Sequence, residues 1–340
     1  MTGRHTDRAP ASEAVEPRSG GRRSRGLVPL DLVRGFLIGM AELVPGVSGG
    51  TVALVVGVYE RLIESAAHVL GALRRLGTGP ERSRAARAEL RRTDWWLVVP
   101  VLVGMAIAVV TAAGVVGDLV VDHSEHSRGL FLGLVAASVA VPVRMMPARE
   151  RSLALDGALL LGAFALGWFL IGLASGREPL TDPSPVLVLL AAAIAVCALV
   201  VPGVSGSFFL LAIGLYTVTL DAIHERDLGY VAVFAVGAVV GLASFVQVLR
   251  WLLRVRRRAT LMVMTGLMLG SLRALWPWQD SDAADGPGAL LGPTGPVAGP
   301  VLLALLGAVV VVALIVLESS VSRRREIAPE TLSDEESAHD

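Results

Sequence analysis

The chain has no lysine: all 30 of its basic residues are arginine. This reads as the coding bias of a GC-rich genome rather than as a function. A single cysteine, Cys197, excludes an intramolecular disulfide and any cysteine-based metal centre. It lies in an apolar run and reads as a small buried hydrophobe. The formal net charge is zero, so overall charge points to no partner. The six histidines form no metal-binding pattern: His123 and His126 stand three apart in a loop without supporting ligands, and no metal or cofactor is expected. No Ser–His–Asp arrangement, Walker loop or dinucleotide fingerprint occurs. The arginine clusters fit membrane topology and not nucleic-acid binding. Residues 1–26 contain no apolar core with a small-residue cleavage site, so no secretory signal is expected there. They are too polar to fold alone and are expected to be a disordered tail, as are residues 319–340.

What the chain does have is apolar sequence. Hydrophobic residues make up 54% of it and the mean hydropathy is +0.65. Several stretches approach the ~20 residues that span a bilayer. Crossings are expected at 96–117, 129–143, 153–174, 229–250, 259–276 and 299–317, with Trp95 and Trp96 at an interface. Residues 64–94 form an arginine-rich loop with a short helix from Glu81 to Arg92. That helix reads as a solvated face, or as a contact with anionic headgroups.

Two further apolar runs are interrupted by the same motif. Pro45-Gly46-Val47-Ser48-Gly49-Gly50-Thr51 is followed by Gly57 and Tyr59; Pro202-Gly203-Val204-Ser205-Gly206-Ser207 is followed by Gly214 and Tyr216, and adding 157 maps one copy on the other. Proline removes a backbone donor and glycine frees the backbone, so each copy breaks a helix. The arm from Phe36 to Val44 has nine residues, roughly 14 Å. That is about half of a ~30 Å hydrocarbon core, and it predicts a re-entrant hairpin. Past the motif the echo continues at a spacing of 133: Gly104 matches Gly237, and Gly133-Leu134 matches Gly266-Leu267. The expected fold is therefore an all-α polytopic membrane protein of two repeats, 27–174 and 186–318. Each repeat is a broken hairpin plus three crossings, within a transporter domain spanning 27–318.

Charge placement predicts sidedness. With the N-terminus cytoplasmic and both hairpins returning to their own side, 26 of the 30 arginines are cytoplasmic. Both termini are then cytoplasmic. Three crossings separate the hairpins, so the repeats are inverted and the tips can meet near the midplane, as alternating access requires.

The tips carry the candidate chemistry. Their backbone donors must face protein, water or a polar ligand, because leaving them bare in hydrocarbon costs several kcal/mol each. Helix N-termini and the hydroxyls of Ser48, Thr51, Ser205 and Ser207 suit an anion, and Gly49, Gly50 and Gly206 allow close approach. The alternative is that these residues only permit tight helix packing. Glu42, three residues before Pro45, is an intramembrane carboxylate: a carrier of a coupling proton or sodium ion, or a structural partner of Arg34. Arg34 alternatively meets a headgroup. Arg273 reads as a phosphate partner or as an interface anchor beside Trp276 and Trp278. Tyr59 and Tyr216 read as interface anchors.

Three runs, 39–51, 197–207 and 265–278, resemble the three signatures of the bacterial polyprenyl-phosphate (undecaprenyl phosphate) transporters of the PopT type. The likeness covers about 27–318. The resemblance implies a non-enzymatic translocator of polyprenyl phosphate that returns the lipid carrier to the cytoplasmic leaflet. It places the phosphate at the two hairpin motifs and extends to Arg273. Where Glu42 stands the family often has Asp or Asn. Two alternatives remain at this stage. A polyprenyl-diphosphate phosphatase has a Pro-Gly-x-Ser-Arg-Ser element similar to Pro202–Ser207, but Gly206 stands where that family has Arg. The motif chemistry alone also admits a small-anion transporter.

Overall fold

The structure, a computed structural model, describes residues 25–42, 48–77, 82–148, 153–173, 180, 182–280 and 289–327. Pro45, Gly46 and Val47 of the first motif lie outside the described residues, as do the tails 1–24 and 328–340. Fourteen α-helices form among the described residues, and no named strand does. In chain order they are α1 Val28–Glu42, α2 Gly49–Val55, α3 Tyr59–Gly77, α4 Arg82–Arg92, α5 Trp95–Asp122, α6 Ser124–Ser138, α7 Ala140–Arg144, α8 Leu153–Leu173, α9 Pro185–Val200, α10 Gly206–Ala212, α11 Tyr216–His224, α12 Leu228–Val255, α13 Arg257–Ser271 and α14 Ala298–Ile327. A 3₁₀ turn, Leu272–Leu275, follows α13. The protein is an all-α, multi-pass membrane protein.

The element boundaries follow the sequence offsets. Adding 157 converts α2 into α10 and carries the start of α3 to that of α11; adding 133 converts α5 into α12 and α6 into α13. The breaks match as well: Gly57 has φ 70° and Gly214 has φ 76°, left-handed values that glycine adopts without a Cβ penalty. Each returning arm is thereby split into two helices. The leading arm is longer than expected: α1 has 15 residues, roughly 22 Å.

Among the described residues, five stretches are long and apolar enough to span a membrane: Trp95–Ala112, Ser124–Arg144, Leu153–Leu173, Leu228–Val255 and Ala298–Leu317. The sixth expected crossing, 259–276, is not among them. Its helix α13 has only 15 residues, opens on Arg257 and Arg258 and gives way to the 3₁₀ turn. It buries Leu261, Met264, Leu267 and Met268 inside the protein, so it does not need a long lipid-facing apolar surface. α14 also departs from expectation. It continues to Ile327 and carries Arg323, Arg324 and Arg325 on helix.

Four close helix pairs build the body: α1 with α5, α9 with α12, α6 with α14 and α8 with α13. The first two pairs lie within one half of the sequence. The last two exchange partners between the halves. Each pair has a Gly-x-x-x-Gly step on one member: Gly35 and Gly39, Gly237 and Gly241, Gly129 and Gly133, Gly266 and Gly270. Without a hydrophobic drive between helices in lipid, small residues that let backbones approach supply the packing. The matched glycines meet matched partners: a Cβ on Gly104 would overlap the Leu32 carbonyl, and one on Gly237 would overlap the Leu189 carbonyl. Leu32 and Leu189 are themselves 157 apart.

A buried cluster joins the first hairpin to the second half, with Leu54, Val58, Tyr59 and Ile63 against Val246, Leu249, Leu261 and Met264. Polar ties reinforce it. Arg257 donates from both terminal nitrogens to Glu60, at 2.7 and 3.2 Å, and Arg254 donates to Glu64 at 2.9 Å. Deeper in the body, Arg258 Nε lies 2.8 Å from Asp156 Oδ2, and its Nη1 donates to the Pro147 carbonyl at 2.7 Å. α4 folds back on α3 through Glu89, which contacts His68 at 2.9 Å and Arg75 at 3.0 Å. The hydrogen bond with His68 holds the Glu89 carboxyl below its ordinary range.

Candidate functional site

The two tips are built alike. Ser48 (φ −105°, ψ 123°) and Ser205 (φ −110°, ψ 128°) occupy the residue before α2 and α10, in the same extended conformation. A serine there normally accepts a hydrogen bond from the second or third helical N–H. Neither does. The Ser48 hydroxyl is buried and has no hydrogen-bond partner among the described residues. The Ser205 hydroxyl lies 2.8 Å from that of Ser207, on the exposed side of the second tip. Both helix starts therefore keep a hydroxyl that their own backbone does not use.

Glu42 closes the first hairpin. Its Oε1 accepts from Gly49 N at 2.8 Å, bridging the end of α1 to the start of α2. A Cβ on Gly49 would overlap that carboxylate oxygen, so any larger residue there displaces the Glu42 carboxylate. The carboxylate offsets the partial positive charge of the helix start. It does not pair with Arg34, which instead bonds the fully buried Asp31 at 3.0 Å, one turn earlier on α1.

The tips then meet each other. Thr51 Oγ1 accepts from Gly203 N at 3.1 Å in a buried contact across the two motifs. Gly50 lies against the last turn of α9: a Cβ there would be 3.1 Å from the Val200 carbonyl oxygen, 3.2 Å from that of Leu199 and 3.3 Å from Ser48 Oγ. Tyr59, 4% exposed, donates to the Val200 carbonyl at 2.9 Å. That burial corrects the interface-anchor reading of Tyr59, because its hydroxyl joins the hairpins. Tyr59→Phe leaves the Val200 carbonyl without this donor, and a loss of about 1 kcal/mol is expected. A thermal melt of the purified variant in detergent checks it.

Gly203 has φ 84°, and a Cβ on it would lie 2.5 Å from Met268 N, so the second tip sits tightly on α13. Gly206 faces α9, where a Cβ would be 2.5 Å from the Ala195 carbonyl oxygen. In this closed arrangement its Cα lies against that helix. Beside this tip a cleft of about 60 Å3 is lined by Gly167, Ile171, Ser205 and Ser271. Ligand pockets commonly hold ~300–1,000 Å3, so the tips are closed on this side.

Arg273 contacts α8. Its guanidinium lies 5.2 Å from the Trp168 ring centroid and donates to the Trp168 carbonyl at 3.3 Å. Gln279, not singled out from the sequence, donates to the carbonyls of Arg273, Ala274 and Trp276 at 3.3, 3.0 and 2.8 Å and ties the 3₁₀ turn. The Asp156–Arg258 pair was not singled out from the sequence either; the one available signal was a carboxylate inside the apolar run 153–174. Among the described residues no group of His, Cys, Asp and Glu suits a metal ion.

The family model described as "VCA0040-like: Undecaprenyl phosphate translocase-like" matches residues 38–286, which include both tips, α13 and the 3₁₀ turn. The chain belongs to this family. A family member named polyprenyl-phosphate transporter, from Vibrio cholerae serotype O1, is 34% identical over 249 residues, 73% of this chain and 78% of that protein. A second protein of the same name, from Staphylococcus aureus, is 26% identical over 264 residues, 73% of this chain and 86% of that protein. No solved structure gives a significant match.

Proposed function

We propose that the protein carries a polyprenyl phosphate, of the undecaprenyl type, across the bacterial cytoplasmic membrane by alternating access, and makes or breaks no covalent bond in it. The observation that carries this reading is the meeting of two matched helix breaks, Thr51 Oγ1 to Gly203 N, each beside a serine hydroxyl that its own helix leaves unused. The relatives' transporter names support it.

In this reading the repeats 27–174 and 186–318 are inverted in the membrane, with both termini cytoplasmic. The arginine distribution supports that sidedness. Ser48, Gly49, Gly50 and Thr51 form one wall of the phosphate site, and Ser205, Gly206 and Ser207 the other. Opening toward either face separates the walls. The phosphate then receives the donors that the closed tips give to Glu42 and Thr51. Glu42 is the coupling group: it holds the Gly49 N–H while the site is empty, and releases it when it takes up a proton or sodium ion. Arg34 and Arg273 guide the headgroup from the two interfaces. The tight seat of Gly206 against Ala195 supports a carrier over a diphosphatase, whose matching element has arginine there.

The test is a sided assay in proteoliposomes with a defined polyprenyl phosphate, with and without a proton or sodium gradient. Labelled lipid is expected to change leaflet. The Ser48→Ala/Ser205→Ala double variant should slow it roughly thirtyfold, from two hydrogen bonds of about 1 kcal/mol each. An unchanged rate removes the hydroxyls from the site. Release of phosphate from a polyprenyl diphosphate by the purified protein would overturn the carrier reading.

A further inference from the structure

A cavity of about 460 Å3 lies one short helix away from the first tip, where α2 ends and α3 begins. Its apolar wall is Leu54, Val55, Val141 and Ile315, and its charged lining includes Arg61 and Arg144. Both arginines are exposed, and no carboxylate pairs with either among the described residues. The acid that also lines the cavity, Glu60, is held by both terminal nitrogens of Arg257. The cavity thus keeps about two uncompensated positive charges beside an apolar wall contributed partly by the last spanning helix.

The matched position in the other half has the opposite character. Arg61 becomes Val218 and Arg144 becomes Pro277 under the two offsets. The cavity that Val218 lines, about 680 Å3, is bordered by Asp182, Asp221, Glu225 and Asp227. The repeat therefore does not generate the arginine pair; one face alone carries it.

We infer that the Arg61–Arg144 cavity is a second binding station for a phosphomonoester, which receives the headgroup of the transported lipid on the arginine-rich face after it leaves the tips. This rests on the proposed function. A phosphomonoester is close to dianionic at neutral pH, matching the two guanidinium groups, and arginine binds phosphate oxygens with two parallel donors. The apolar wall suits the first isoprene units. Opposite charge at the two mouths gives the path a direction for an anion: repelled at the acidic mouth and held at the basic one.

The experiment uses full-length protein in nanodiscs of phosphatidylcholine, which carries no net charge to compete. Farnesyl phosphate, farnesol and inorganic phosphate are titrated separately, with binding read by calorimetry. Farnesyl phosphate is expected to bind, and farnesol to bind at least tenfold more weakly. Arg61→Gln/Arg144→Gln should weaken farnesyl phosphate binding at least tenfold, while Arg61→Lys/Arg144→Lys keeps part of it through charge alone. Inorganic phosphate binding more weakly than farnesyl phosphate assigns the station to the lipid. Equal binding assigns it to a soluble anion and overturns the lipid assignment. Wild-type affinity in the Gln/Gln variant, with an unchanged thermal midpoint, overturns the station itself. A Gln/Gln variant with a lowered midpoint is replaced by the two single variants, each expected to lose at least threefold. Leaflet transfer by the wild-type protein is measured in parallel: transfer with no arginine effect leaves the proposed function standing without the station, and no transfer removes both.

Discussion

Gly133→Leu and Gly266→Leu should each yield no folded protein. A Cβ on Gly133 would overlap the Ala304 carbonyl of α14, and one on Gly266 would overlap the Leu160 carbonyl of α8. The obstruction is backbone in both cases, so no rotamer change relieves it, and separating the helices forfeits the close packing that holds them in lipid. Overpacking of this kind typically costs 1–3 kcal/mol in soluble cores. Here an entire helix pair must part, and an effect at or above the top of that range is expected. Detergent extraction followed by size-exclusion chromatography reads the outcome. The control is Gly162→Leu, on the same helix as Leu160, where a Cβ meets nothing within 4 Å and a monodisperse peak is expected. A monodisperse Gly133→Leu protein would show that α6 and α14 are not in contact as described.

Glu42→Ala is expected to reduce transport about a hundredfold, and Glu42→Gln separates the two roles of this side chain. Alanine removes the acceptor for Gly49 N and leaves the α2 start without its counter-charge, in a region where a bare donor is expensive. Glutamine keeps a carbonyl oxygen at the same reach but no ionisable group. If Glu42 only closes the hairpin, Glu42→Gln transports within about threefold of wild type. If it carries the coupling ion, Glu42→Gln is as slow as Glu42→Ala when a gradient drives transport, yet still binds polyprenyl phosphate. Near-normal gradient-driven transport by both variants would remove Glu42 from the mechanism.

Much of this architecture was legible in the sequence because proline and glycine mark backbone geometry directly. The offsets 157 and 133, found from Pro-Gly-Val-Ser-Gly and a few glycines, coincide with helix boundaries. The matched φ values of Gly57 and Gly214 follow from the same feature. The contact between the tips was legible only as something that two inverted hairpins could make; the Thr51–Gly203 bond needs a position in space. Glu42 stood out as a carboxylate in an apolar arm, but its partner did not. Arg34, eight residues away, was the nearest opposite charge along the chain, whereas Gly49 N lies nearer in space across the turn. α13 is shorter than the five apolar spans, a length that apolar periodicity does not reveal because it does not distinguish a helix facing lipid from one enclosed by protein. Arg258 and Asp156, 102 residues apart, leave no local pattern at all.

The exchange of helices between halves has a consequence for biosynthesis. α6 ends at Ser138, and its partner α14 begins at Ala298, 160 residues later by subtraction. At ~5–20 residues per second, a ribosome needs roughly 8–30 s to deliver it. For that interval the glycine face of α6 borders lipid or the insertion machinery rather than protein. α13, by contrast, emerges with α8 already in place. The order of assembly is thus asymmetric although the finished pairs are alike, and the last helix made locks the earlier one. A chain truncated before α14 would carry both hairpins and still leave α6 without a mate, making it a natural substrate for membrane quality-control proteases.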